Sequence, residues 1–288
     1  MTESLPIPLT APISRAQRTQ VLNLVRRAAR AEILPRFRSL GEAEIDTKSG
    51  PQDLATDADR EAEKMIARGL LAIWPHARIV GEEDASANPE VIETLREAEL
   101  GFTIDPVDGT WNFAKGLPLF GVMVAMTRYG RPVWGMLYDP IMDDVIWAGL
   151  DGPAELVRGR MRPRTLRVSS GGPLPELSGF TSLHLLPEDK QERFATTFPK
   201  LARAVSMRCA CHEFRTLAQG GVDFVLATKV TPWDHTPGAL IVERAGGVVR
   251  MLDGSDYTAG KTEGYLLAAC DEATWSRLRD LWDFLLEE

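Results

Sequence analysis

Two aspartates, a glycine and a hydroxyl fall within the run Asp105-Pro106-Val107-Asp108-Gly109-Thr110. Phe102, Thr103 and Ile104 lead straight into Asp105, so the segment reads as a strand that ends in acids. Pro106 fixes its own φ and Gly109 allows a sharp turn, which lets the two carboxylates converge. Carboxylates at one point repel unless a cation lies between them. Mg²⁺ takes such oxygen sites readily, alongside substrate phosphate. The plain alternative is a strand followed by an acidic turn, because Asp-Gly is a common turn dipeptide.

Two further segments have the same character. Ile79-Val80 runs into Gly81-Glu82-Glu83-Asp84, a second apolar stretch ending in acids. Trp233-Asp234-His235-Thr236-Pro237-Gly238-Ala239 leads into Leu240, Ile241 and Val242, then Ala245-Gly246-Gly247. This reads as a helix with Asp234 near its start and a glycine stop. Taken singly, an acid at a helix N-terminus answers the helix dipole, and Glu82 and Glu83 could be a solvated loop. Taken together, acids at the ends of apolar elements can meet in one cleft and share cations.

On these residues the chain resembles the inositol monophosphatase family. Its members are Mg²⁺-dependent, lithium-sensitive phosphatases, and they include histidinol-phosphate, fructose-bisphosphate and adenosine-bisphosphate phosphatases. The family signatures are Gly-Glu-Glu, Asp-Pro-x-Asp-Gly-Thr-x-Asn-Phe and Trp-Asp-x-x-(Pro/Ala)-Gly. They match Gly81 to Glu83, Asp105 to Phe113 and Trp233 to Gly238, in a likeness that runs from about Ser14 onward. The resemblance implies a mixed α/β (α+β) fold: a five-layer αβαβα sandwich of the inositol monophosphatase / fructose-bisphosphatase type, with the active site between its halves. It also implies a homodimer.

The resemblance assigns roles residue by residue. One Mg²⁺ would rest on Glu82, Asp105 and the Val107 carbonyl. A second would rest on Asp105, Asp108 and Asp234, and a third, weaker one near Glu82, mostly on water. Gly109 and Thr110 would open a short helix, Thr110 to Phe113, whose N–H groups point at the phosphate. Thr110, paired with Asp59, would orient the attacking water. Thr110, Asp59 and Glu82 are thus the catalytic candidates, and Lys48 is a further candidate near the metals. The chemistry is coherent apart from any family: phosphoryl transfer needs neutralised non-bridging oxygens, an activated water and a stabilised leaving oxygen. Thr56 and Asp59 have a second reading as a helix capping pair, and Lys48 as a solvated surface lysine.

The chain departs from inositol-specific members where a leaving group should sit. After Arg208 they carry Gly, Ser or Thr, then Ala, whereas this chain has Cys211-His212-Glu213. A Glu that contacts the inositol ring in those members falls at about Ala227. His212, Glu213 and Arg215 are therefore candidates for reading the leaving group, with helix-surface or capping roles as the alternative. The expected function is hydrolysis of a small phosphorylated metabolite by metal-activated water. Inositol 1-phosphate, histidinol phosphate and a nucleoside 3′,5′-bisphosphate are the rival substrates. A rival of another class is a non-catalytic regulatory or assembly protein on the same fold. Such a protein should have lost an acid or the hydroxyl, and Glu82, Asp105, Asp108, Thr110 and Asp234 are all present. Cys209-Ala210-Cys211-His212 has metal-ligand spacing but no second Cys/His pair, so small buried thiols are the expectation. Trp233 reads as packing, and His76 and His184 as structural or exposed.

The rest of the chain must position these groups. Its 288 residues, 44% hydrophobic and 26% charged, have room for one large domain or two lobes of an ordinary globular protein. The net charge of −8 argues against nucleic acid as a bulk partner. No apolar stretch nears the ~20 residues that span a bilayer, so no membrane partner is expected. Met1 to Pro12 lacks the basic and apolar regions of a signal peptide, and three cysteines make no disulfide framework, so a cytoplasmic location is expected.

Helical spacing covers Ile13 to Leu40, Asp57 to Trp74, Pro187 to Leu201, His212 to Gly220 and Glu272 to Leu286. A polar loop is expected over Gly41 to Asp53, and antiparallel strands over Phe120 to Leu150. Leu166 to Val168, Gly179 to Ser182 and Val222 to Ala227 also read as strands. The basic stretch Arg158 to Arg164 reads as a joint between an N-terminal lobe, residues 1–164, and a C-terminal lobe, residues 165–288. The first would carry Gly-Glu-Glu and Asp-Pro-x-Asp-Gly-Thr, the second Trp-Asp and the substrate-reading region.

Overall fold

Helix α1 (Arg15–Ala28) begins where Ser14 accepts the Gln17 N–H and the Gln17 side chain returns to the Ser14 N–H. Its Val21, Leu22, Leu24, Val25 and Ala28 form one buried stripe. Past Ala28 the turns widen, with the Leu34 N–H on the Ala29 carbonyl at 2.8 Å, so regular helix does not reach Leu40 as the spacing predicts. The computed structural model describes residues 13–41, 45–50 and 53–287, save the side chains of residues 48, 49 and 53. Where a polar loop is expected, β1 (Ile45–Gly50) pairs antiparallel with β2 (Asp53–Thr56). Thr56 and Asp59 then cap α2 (Asp57–Ile73) reciprocally, and the helix stops before Trp74 and Pro75.

A large sheet follows in chain order: β3 (Arg78–Gly81), β4 (Gly101–Asp108), β5 (Gly121–Arg128), β6 (Arg131–Asp139), β7 (Asp144–Gly149), β8 (Glu155–Arg158) and β9 (Arg164–Thr165). β3 runs parallel to β4, and each later neighbour is antiparallel. Short helices α3 (Glu82–Ala87) and α4 (Thr94–Glu97) lie between β3 and β4, and α5 (Thr110–Ala114) follows β4. The expected antiparallel run over Phe120 to Leu150 is β5 to β7. Arg158 to Arg164, read as a joint between lobes, is instead the turn of the β8/β9 hairpin, and a boundary after 164 cuts β9. Gly and Pro punctuate a hairpin turn as readily as a linker.

The second sheet has the order β11 (Arg203–Val205), β10 (Ser178–Thr181), β12 (Phe224–Ala227), β14 (Leu266–Ala269), β13 (Val248–Met251). Around it lie α6 (Glu188–Ala195), α7 (Ala210–Ala218), α8 (Pro232–Arg244) and α9 (Glu272–Leu281). α6 stops short of the Leu201 the spacing predicts, because Pro199 cannot continue it. Leu166 to Val168 form no strand; the N–H groups of Leu166 and Val168 bond to the carbonyls of Ala154 and Ala245.

The core defines the layers. Val21, Ile66 and Leu70 of α1 and α2 pack on Phe102, Ile104, Val122 and Val124 from one face of the large sheet. From its other face Met123, Leu137 and Ile146 meet Phe214, Leu217, Ile241 and Val242 of α7 and α8. Those helices in turn cover Val225, Val249 and Leu266 of the small sheet. Its far face packs Phe224, Leu226 and Leu267 against Phe194 of α6 and Trp275 and Leu278 of α9. The order is α, β, α, β, α, as expected. The middle layer is supplied by the C-terminal half of the chain, so Asp234 on α8 lies against the sheet that carries Asp105 and Asp108. Among the described residues no helix is long and apolar enough to cross a membrane.

Candidate metal and phosphate site

β4 is buried along its whole length and loses register with β5 between Asp105 and Asp108. The Asp105 carboxylate accepts the Val107 N–H at 3.0 Å, so the acid closes its own turn. Gly109 then takes φ +88°, and a side chain there would also press on the Leu119 carbonyl, 2.9 Å from where its Cβ would stand. This turn aims α5 away from the strand and leaves its first N–H groups without partners inside the helix. Thr231 stands at the N-terminal end of α8 and, making no side-chain cap bond, donates its hydroxyl to Asp234 at 2.6 Å. Pro237 and Gly238 inside α8 serve close packing: a Cβ at Gly238 would collide with Phe214, and one at Gly135 with Pro237.

These elements bring carboxylate oxygens of Asp105, Asp108 and Asp234 within 4.8 Å of one another. Burial, then the charges of Glu82, Asp108 and Asp234, hold the Asp105 carboxyl well above its ordinary range. Burial and the Asp234 charge push Asp108 up to about 7. Glu82, the first residue of α3, comes beside Asp105 because Gly81 pairs with Ile104 in the parallel register. Its carboxylate is outside the three-acid group. A donor set made of charged oxygens suits a hard divalent cation, which would relieve the mutual repulsion that raises these pKa values.

Thr110 lies at the edge of this cluster. Its hydroxyl is 3.1 Å from Asp59 Oδ1 and 2.9 Å from the Val107 carbonyl, and its single proton serves one at a time. Asp59 is fully buried, and desolvation pushes it up to about 6 although Thr56 pulls it down. It holds both the cap of α2 and the link to Thr110. Asn112, which stands in the central signature, adds a structural tie. Its amide donates to the carbonyls of Leu119 at 3.0 Å and Met207 at 2.9 Å, tying α5 to the segment before α7.

The residues expected to read a leaving group separate. His212 Nε2 is 3.1 Å from the Phe120 carbonyl, and burial lowers its pKa. Glu213 accepts the Met207 N–H at 2.8 Å; the turn at 206–208 encloses its carboxyl, and desolvation pushes it to about 8. Arg215 turns the other way. It is 6% exposed and donates from its guanidinium to Asp144 and to the Leu137 carbonyl, so it points into the large sheet. Cys209 and Cys211 are buried, and burial raises both thiols. Trp233 packs against Val80, Ala85 and Leu95. His76 and His184 are exposed. The Lys48 side chain lies outside the described residues.

The likenesses to known proteins agree with this geometry. The model of the Inositol monophosphatase family matches residues 15–283. The Nus factor SuhB of Vibrio cholerae is 31% identical over 250 residues, which are 82% of this chain and 87% of that protein. The fructose-1,6-bisphosphatase/inositol-1-monophosphatase of Thermotoga maritima is 28% identical over 216 residues, 75% of this chain and 78% of the relative. Among solved structures, the Thermotoga maritima IMPase superposes with a TM-score of 0.76 at 23% identity, covering 94% of this chain and 98% of that one. The Bartonella henselae suhB protein gives 0.77 at 23% identity, over 92% and 98%. The chain belongs to the inositol monophosphatase family.

Proposed function

We propose that this protein is a Mg²⁺-dependent phosphomonoesterase acting on a small phosphorylated metabolite. The observation that carries the reading is the convergence of Asp105, Asp108 and Asp234 beside the start of α5 and the Thr110–Asp59 pair. Glu82, Asp105, the Val107 carbonyl, Asp108 and Asp234 would hold the cations, two or three per site. Bound there, the cations supply charge neutralisation on the phosphate and a more acidic water.

The chain's own groups do the rest. Gly109 and Thr110 open α5 toward the phosphate oxygens with unpartnered N–H groups. When Asp59 is ionised it accepts the Thr110 hydroxyl hydrogen bond, which leaves the lone pairs of the Thr110 oxygen to accept from the attacking water and hold it in line. Phosphate release from a panel of phosphomonoesters is the test. Activity should need Mg²⁺, vanish with EDTA and return on re-addition. Undiminished turnover in chelated buffer would overturn the reading. Histidinol phosphate and a nucleoside 3′,5′-bisphosphate belong in the panel, and we expect inositol 1-phosphate not to be the best substrate, since Ala227 offers no acid to an inositol ring.

The relative named as a Nus factor favours a second reading, a regulatory or assembly role on the same fold. A cytoplasmic homodimer belongs to the first reading, and sedimentation of the purified chain would test the dimer.

A further inference from the structure

We propose that Glu63 is a positioning residue for cation binding: it clamps the Gly81-Glu82-Glu83 turn so that Glu82 faces Asp105. The inference rests on the proposed role of Glu82 and Asp105 as cation ligands. Glu63 lies on α2 one turn after Asp59, on the same helix face. It is 8% exposed and touches neither Asp105 nor Thr110 through a hydrogen bond. Its carboxylate accepts the Glu83 N–H at 2.8 Å and the Asp84 N–H at 3.1 Å. These are donors of the first turn of α3, the turn that begins with Glu82.

A buried carboxylate facing Glu83 and Asp84 is an expensive way to cap so short a helix, because it adds a negative charge to an acidic turn. A hydroxyl or amide could accept one of these N–H groups without that cost. What the carboxylate offers is two oxygens at a fixed separation, which lock two successive amides at once. The backbone leaving Glu82 is thereby fixed in direction as well as position.

Gly81 fits the same device. Its φ is −100°, so no special backbone conformation demands glycine there. The demand is spatial: a Cβ at Gly81 would run into the Glu63 carboxylate. The glycine of the Gly-Glu-Glu signature therefore makes room for Glu63, and any side chain at 81 would push the clamp off its amides. α2 thus anchors both halves of the site. Asp59 holds Thr110 at 3.1 Å, and Glu63, one turn on, holds the turn that starts with Glu82.

The test uses the full chain, with Mg²⁺ alone as the probe. Calorimetric titration gives the Mg²⁺ Kd of the wild type, Glu63→Gln, Gly81→Ala and the double variant, and thermal melts of the chelated proteins report folding. Glutamine keeps the shape but can accept only one of the two N–H groups. Glu63→Gln is expected to weaken Mg²⁺ binding by about 10-fold or more, the range seen when a group that orients a metal ligand is removed. The chelated melting temperature should stay close to wild type, because an acid facing other acids has been removed. Gly81→Ala should weaken binding similarly, and the double variant should be no worse than the weaker single one, since both break one link. Should one single variant fail to fold, the other carries the test. Wild-type Mg²⁺ affinity in a folded Glu63→Gln, or additive losses in the double variant, would overturn the inference. Failure of the wild-type chain to bind Mg²⁺ would instead remove the reading beneath it.

Discussion

The Cys209 thiol donates to Asp108 Oδ2 across 3.0 Å, and the Cys211 N–H donates to the same oxygen. One oxygen of Asp108 is therefore held by the start of α7, and the other is left for the cluster with Asp105 and Asp234. Burial keeps the thiol protonated, so it acts as a donor and not as a soft ligand. Cys209→Val removes the donor at similar volume and should weaken Mg²⁺ binding by ~10-fold, the size of a hydrogen bond to a charged group. Cys209→Ser should stay within ~3-fold of wild type. Equal calorimetric titrations for valine and wild type would take the thiol out of the site.

Asp108→Asn follows from the same contacts. The amide carbonyl can replace Oδ2 on the Cys211 N–H, which turns the NH₂ group toward the cations. A donor facing a cation is worse than a neutral acceptor. We expect kcat to fall by at least about 10²-fold, comparable to the loss of one electrostatic stabiliser from a reacting site. Chelated protein should melt at or above the wild-type temperature, since one of three crowded charges is gone. A lower melting point together with normal kcat would make Asp108 a folding residue only.

The carboxyls also fix a pH dependence. Asp59 at about 6, Asp108 at about 7 and a raised Asp105 all lie above their unfolded value of 3.8. Between those limits the folded, metal-free protein binds more protons than the unfolded chain. Stability therefore falls as pH rises through this window. Chelated protein should melt at a higher temperature at pH 6 than at pH 8. Saturating Mg²⁺ should shrink or reverse the difference, because a cation then replaces the protons. A chelated melting point that drops between pH 8 and pH 6 would contradict the like-charge account of the cluster.

Much of this site is legible in the sequence because its chemistry is local. Asp105, Asp108, Gly109 and Thr110 stand within one turn, and Thr56 with Asp59 makes a cap whose partners are three residues apart. The meander β5 to β7 is legible for the same reason, as each strand pairs with the next. What stayed hidden depends on pairing across the chain. β11, β13 and β14 are short strands, and β11 and β14 find partners, β10 and β12, across the intervening helices α6 and α8. Glu63 looks like any helix acid until α3 is laid beside it. Arg215 looks like a substrate-facing cation in the helix after Arg208. Its burial follows from Asp144, 71 residues earlier, on a strand of the other sheet.

That pairing separates two neighbours on α7. Arg215 bridges the middle layer to Asp144, which also takes Arg158 at 2.7 Å. Arg215→Met removes one partner of a buried ion pair, and we expect it to cost about 3 kcal/mol or more in unfolding free energy. Because its donors point into the large sheet, the ratios of kcat/KM among substrates should not change at a temperature where the variant is folded. Glu213 is different. It holds the Met207 N–H, and Asn112 grips the Met207 carbonyl from α5, so its loss loosens a segment adjoining the phosphate cradle. Glu213→Ala should lower kcat/KM for the best substrate far more than for a generic aryl phosphate, since the latter asks nothing of the wall that reads a leaving group. Steady-state kinetics on both substrates decide the matter. Equal losses for Glu213→Ala, or a changed ratio for Arg215→Met, would reverse the assignment of which residue shapes specificity.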